Sequence, residues 1–259
     1  MFGGLIKFIL IVIGLVSGLV TCQGPGPDEP PPPPDPPAVI TGTAYTFNTR
    51  NVIAGATIRV VELPDVVAVT EADGSYRLEV PRGSTVTAYI EAEGHGSIHV
   101  QTFVLDDDHD GTEIAGVNFQ TPTTTVYAAL RALIAGYIGR DPFEDGCVVV
   151  STIGDERLTG MPFDEFIRFA PHGVEGASAT IDPPVAEPIY FNASVLPDPN
   201  QVLSSIDGGV LWANVPPGTY TLEAHKEGVE FAQVRATCEP GWVVNANPVH
   251  GLHALPSGG

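Results

Sequence analysis

Asp207-Gly-Gly-Val-Leu-Trp-Ala-Asn-Val-Pro-Pro-Gly-Thr-Tyr-Thr-Leu-Glu-Ala224 is the stretch on which the fold turns. Asp207-Gly208 reads as a tight turn, because glycine accepts the positive φ that a short connection demands. Val215-Pro216-Pro217-Gly218 punctuates the chain again, and Thr219 to Ala224 alternates polar and apolar side chains, the period of a half-buried strand. Two strands and two turns fill these 18 residues, which leaves no room for a helix.

The same punctuation occurs upstream. Gly55-Ala56-Thr57-Ile58, Asp73-Gly74, Val80-Pro81-Arg82-Gly83 and Gly94 correspond to Gly176-Ala177-Ser178-Ala179, Asp207-Gly208, Val215-Pro216-Pro217-Gly218 and Gly228. The Asp-Gly turn precedes its proline by 8 residues in one copy and 9 in the other, and the last two glycines are 11 and 10 apart. Thr57 to Val61 and Ser75 to Val80 alternate as strands, with Asp73-Gly74 expected to join them as a hairpin turn. Thr85 to Ile90 follows, and Gly116-Val117-Asn118-Phe119 closes the first copy. Two domains of one fold are the economical reading.

Gly-Ala before a strand, Asp-Gly before an aromatic-containing strand and Pro-x-Gly before Thr-Tyr-Thr-Leu together resemble the carboxypeptidase regulatory-like domain, a transthyretin-like or prealbumin-like β-sandwich. The likeness is densest over 207–224 and covers about residues 40–120 in the first copy. It implies an all-β chain of two tandem transthyretin-like Greek-key β-sandwiches, modules that act as accessory, spacer or ligand-binding units without catalytic residues of their own. Related sandwiches include starch-binding-like domains, so contact with carbohydrate is also implied.

Composition agrees with strands and turns. The chain has 259 residues, 43% of them hydrophobic, enough for one or two ordinary cores, and its 29 glycines and 25 prolines favour turns over helices. Eleven basic residues stand against 31 acidic ones, and only Lys7 and Lys226 are lysines, which argues against nucleic acid as a partner.

Residues 1–22 read as an export signal. Lys7 precedes a 13-residue apolar run from Phe8 to Val20, too short to span a bilayer comfortably. The run ends at Leu19-Val20-Thr21-Cys22, which resembles the lipobox of bacterial lipoproteins, where the cysteine is acylated and becomes the new N-terminus. Thr21 departs from the Gly, Ala or Ser usual at its position. An uncleaved signal anchor and cleavage by an ordinary signal peptidase are the alternatives, and all three place the bulk of the chain outside the cytoplasm. Gln23, in place of the Asp that resembles an inner-membrane retention signal, favours the outer membrane or cell surface. Residues 23–38 hold nine prolines and read as an extended spacer, reaching ~45 Å.

With Cys22 acylated, Cys147 and Cys238 remain. An even pair in an exported protein reads most simply as a disulfide, with two buried free thiols as the alternative. The first sandwich is expected over 39–121 and the second over 146–256. A helical bridge over 122–145 lies between them, its helix in Val126 to Ile138, capped by threonine and packed on the second sandwich. Two excursions, Asp155 to Ala170 and Pro183 to Pro199, decorate that second domain.

Few constellations could carry chemistry. Asp106, Asp108 and Asp110, followed by Gly111 and with Glu113 nearby, offer hard oxygen ligands in the spacing of a half calcium loop; a solvated acidic turn is the alternative, since an EF-hand needs an acid where Val117 stands. His95 and His99 could share one strand face, but no zinc motif contains them. No His-Glu-x-x-His, Gly-x-Ser-x-Gly or Walker-type Gly-Lys-Ser/Thr occurs. Tyr190 and Phe191, read as part of a long loop between Pro188 and Pro197, are with Trp242 the candidates for contact with a ligand. The function expected is that of a non-catalytic surface lipoprotein serving as a structural or protein-interaction module, with the membrane and an envelope protein or polysaccharide as partners. A carbohydrate-binding lipoprotein and a hydrolase with an unrecognised site are the alternatives.

Overall fold

The computed structural model describes residues 36–105 and 113–256, and in them the alternating runs become strands. Cys22, residues 1–35 and the acidic residues Asp106, Asp108 and Asp110 lie outside the described residues. The first half runs β1 (Ala38–Thr46), β2 (Thr57–Val60), β3 (Val67–Val69), β4 (Ser75–Val80), β5 (Thr85–Val86), β6 (Ala88–Glu91), β7 (Ile98–His99), β8 (Phe103–Val104), β9 (Glu113–Ile114) and β10 (Phe119–Thr121). Helix α1 (Thr124–Ile138) follows. The second half runs β11 (Cys147–Thr152), α2 (Phe163–Phe166), β12 (Ser178–Asp182), β13 (Ile189–Phe191), β14 (Pro197–Asp198), β15 (Gly209–Val215), β16 (Gly218–His225), β17 (Val234–Cys238) and β18 (Val243–Ala246).

One topology occurs twice. In the first half β1 pairs antiparallel with β4 and parallel with β10, while β2, β6 and β7 form an antiparallel set. In the second half β11 pairs antiparallel with β15 and parallel with β18, while β12, β16 and β17 form the antiparallel set. The glycines that punctuate the sequence repeat are conformational equivalents as well. Gly55, Gly74 and Gly94 have φ of 72°, 79° and 74°, and Gly176, Gly208 and Gly228 have 76°, 79° and 74°, values that disfavour any residue with a Cβ.

The Asp73-Gly74 turn forms, with the Glu71 N–H bonded to the Ser75 carbonyl at 2.8 Å. The strands beside it do not stay paired as the hairpin expected, however: β3 joins one sheet and β4 the other, because each half must cover its core from both sides.

The two sandwiches share a sheet. A nine-stranded sheet runs β14-β13-β15-β11-β18-β7-β6-β2-β3, joined at its middle by the parallel pair Val244–His99. Cross-strand partners share a face, so the register Arg59–Tyr89–His99–Val244–Val149–Trp212 lies on one side and Ile58, Ile90 and Ile98 on the other. Val149, Val244 and Trp212 belong to the second core, whereas Ile58, Ile90 and Ile98 belong to the first. The cores therefore sit on opposite faces of one sheet. The β10-β1-β4 sheet covers the first and the β12-β16-β17 sheet covers the second.

Helix α1 begins where threonine was expected to cap it: the Thr123 hydroxyl accepts from the Val126 N–H at 3.3 Å. Ile134 and Ile138 pack with Phe191, Leu211 and Val150, so the helix covers the face of the second half that its core leaves open. Cys147 and Cys238 are joined as a disulfide, Cα atoms 5.7 Å apart, which ties β11 in one sheet to β17 in the other.

Candidate functional site

The joint between the halves is where side chains from both converge. Trp242, just before β18, stacks on His99 of β7 with ring centroids 3.8 Å apart and planes 11° from parallel, and Tyr89 of β6 stacks with His99 at 5.1 Å. His99 is 6% exposed, and its Nδ1 has no hydrogen-bond partner among the described residues. Burial pushes its pKa from the ordinary 6.5 down to about 4; the Val243 backbone opposes the shift without closing a hydrogen bond to Nδ1. The ring is thus a neutral packing element at pH 7.

A hydroxyl relay runs beside it. Thr87 gives its N–H and its hydroxyl proton to the Glu62 carboxylate, both at 2.7 Å. A hydroxyl has one proton, so Thr87 accepts from Thr102 at 2.8 Å, and Thr102 accepts from Thr237 at 2.8 Å. The Thr102 N–H also reaches the Arg235 carbonyl at 2.8 Å, which makes Thr102 a polar hinge pin between β8's approach and β17. Asn118 and Asn247 are a third link: Asn118 Nδ2 donates to the Pro248 carbonyl at 3.2 Å and Asn247 Nδ2 to the Asn118 carbonyl at 2.9 Å. The excursion expected to decorate the second domain is a fourth. Its α2 packs Phe163 and Phe166 on Tyr45 of β1, centroids 5.2 and 6.3 Å away, in a cluster with Leu158 and Val249.

Two of the three residues expected to contact a ligand are spent on packing. Tyr190 and Phe191 form β13 rather than a loop and are 3% and 7% exposed. Tyr190 lies in the second core, its hydroxyl accepting from the Ala179 N–H at 2.8 Å, and Phe191 lies under α1. Trp242 has one face on His99 and packs on the second core, but it is only partly buried and, with Arg59, Tyr89 and His99, lines a groove of about 560 Å³. Glu113 is exposed and accepts from the Thr41 hydroxyl at 3.0 Å. His95 does not share a strand with His99; it sits in the Gly94 turn, its ring between Thr46 Oγ1 and the Glu93 carbonyl. Among the described residues no three His, Cys, Asp or Glu side chains gather as a metal site.

Sequence reasoning passed over one repeated device. In the first half Thr70 Oγ1 accepts from Ala56 N–H at 2.9 Å and donates to the Ile53 carbonyl at 2.7 Å. In the second Ser204 Oγ accepts from Ala177 N–H at 2.8 Å and donates to the Val174 carbonyl at 2.6 Å. Each hydroxyl stands three residues before its Asp-Gly turn, so a Thr/Ser-x-x-Asp-Gly spacing was there to be read.

No family model matches the chain, and no curated protein matches it by sequence. Among solved structures it is similar to the shaft pilin SpaA from Lactobacillus rhamnosus GG, at 10% identity and a TM-score of 0.26, over 86% of this chain and 98% of that one. It is similar to the Bacillus anthracis TIE protein at 11% identity and a TM-score of 0.26, over 81% of this chain but 33% of that one. A type II cohesin-X-dockerin complex from Acetivibrio cellulolyticus is similar at 15% identity and a TM-score of 0.27, over 33% of this chain and 58% of that one. The chain therefore spans a third of one of these structures and little more than half of another. Likenesses this distant carry no argument about activity.

Proposed function

We propose that the protein is a non-catalytic module of the cell exterior, tethered to the envelope through an acylated Cys22 and the proline-rich 23–38 spacer, which presents two sandwiches as one stiff body for structural or protein-interaction use. The observation that carries this reading is the shared nine-stranded sheet, whose joint consumes the buried His99, Thr102 and Asn118 side chains in packing and hydrogen bonds between halves. The sugar-binding alternative is weakened where Tyr190 and Phe191 are packed away. Division into an accessory pair over 39–121 and 146–256, bridged by 122–145, belongs to the same proposal.

The test is threefold in one bacterial strain. Labelled palmitate enters the wild-type chain and not Cys22→Ala, carboxylate-directed cross-linking of intact envelopes joins the chain to a protein, and a glycan array stays blank. Equal label in both chains would remove the tether, and saturable glycan binding would overturn the protein-interaction reading.

A further inference from the structure

The outermost strand of the nine-stranded sheet is β3, and apart from its three-residue length it carries none of the devices that usually close a sheet edge. Its sequence, Val67-Ala68-Val69, has no lysine, proline or glycine, and Val67 and Val69 are 45% and 57% exposed. Thr70 turns both backbone groups toward the β2 side, donating to the Ala56 carbonyl and accepting from the Gly55 N–H, each at 2.9 Å. Backbone direction alternates along an antiparallel strand, so Ala68 also faces β2 while Val67 and Val69 direct their N–H and C=O outward. Among the described residues no strand pairs with that outward row.

Room for one exists. Beyond the single Glu71–Ser75 bond, β3 and β4 part into different sheets. The wedge between them is a groove of about 770 Å³ walled by Val67 and Val69, by Ser75 and Arg77, and by Met161 and Phe163.

Charge selects the occupant. Asp65 and Glu71 flank β3 and are exposed, with Asp73 just beyond. Antiparallel pairing with a second copy centred on Ala68 would set Asp65 opposite Glu71, and centred on Val69 would set it opposite Asp73. Like charges directly opposite destabilise a strand pair, so a second copy is a poor fit. The 23–38 segment is also a poor fit, since its nine prolines have no N–H to donate. Resting on the protein-interaction reading above, we propose that β3 is a docking edge for an extended segment of another protein, apolar at alternate central positions and basic at both ends, which adds as a further strand of the sheet.

The probe is a synthetic peptide, Lys-Lys-Thr-Val-Thr-Val-Thr-Lys-Lys, titrated into the full chain and followed by calorimetry. Saturable binding is expected, weakened about tenfold or more when glutamates replace the lysines, when the central peptide nitrogens are methylated, or in the Val67→Lys/Val69→Lys chain. Both substituted side chains are exposed, so an unchanged unfolding midpoint certifies that variant. Absent binding, or binding indifferent to methylation or to the double substitution, overturns the proposal. So does a dimer of the wild-type chain that the double substitution dissolves. Envelope cross-linking is read separately, so the interaction reading stands or falls without this edge.

Discussion

Trp242 lies flat on His99, 3.8 Å between ring centroids, and through this contact the second half of the chain holds the strand β7 of the first. The pair sits where β18 and β7 meet in parallel, the seam at which two sandwiches become one sheet. Because Trp242 also packs on the second core, it couples that core to the seam.

Trp242→Ala is expected to cost about 2–3 kcal/mol in urea unfolding, below the range for a fully buried aromatic because the ring is partly exposed, while Trp242→Phe retains the stack and costs far less. A loss under about 1 kcal/mol for the alanine variant would mean that the stack does not hold the seam.

His99 sets a pH dependence. Its folded pKa of about 4 lies below the ordinary 6.5, so between those values the unfolded chain binds more protons. Stability from this group is complete above pH 6.5 and falls as pH drops toward 4, by roughly 3 kcal/mol in all. The charged groups on its face of the sheet are Arg59 in its own row and Glu91 in the next, which pair with each other at 3.0 Å. Subtracting the curve of His99→Phe, which keeps a ring in the stack, isolates the slope; identical curves for the two chains would refute it.

Thr102→Val removes the middle of the Glu62–Thr87–Thr102–Thr237 relay, taking the donor from the Thr87 hydroxyl and the acceptor from that of Thr237, at an expected cost of about 1–3 kcal/mol. Thr102→Ser keeps the hydroxyl and most of the stability. Equal losses in both variants would assign the effect to the methyl group instead.

Reducing the Cys147–Cys238 disulfide frees a 91-residue separation and should lower stability by about 4 kcal/mol in the chain-entropy account. Thermal melts of the oxidised chain and of Cys147→Ala/Cys238→Ala compare the two states. An unchanged midpoint would show that the bond does not limit the unfolded chain.

Much of the fold was legible because turns and caps are local. Asp73-Gly74 and Asp207-Gly208, the positive-φ glycines, the Thr123 cap and the Cys147–Cys238 pairing all follow from neighbouring residues or compartment. Tyr190 and Phe191 were misread for a physical reason. Strand β13 has the second core on one face and α1 on the other, so Ile189-Tyr190-Phe191 lacks the alternation that marks a half-buried strand. The shared sheet is equally silent in sequence. Pairing of His99 with Val244 spans 145 positions, and nothing local to either residue specifies it.

The shared sheet is tested most directly by backbone N–H residual dipolar couplings of the full chain in a weakly aligning medium. Couplings from residues 36–105 and from 146–256 are predicted to fit one alignment tensor with the strand directions described above. Two tensors of different magnitude or orientation would mean that the halves move independently and that β7 and β18 do not join them.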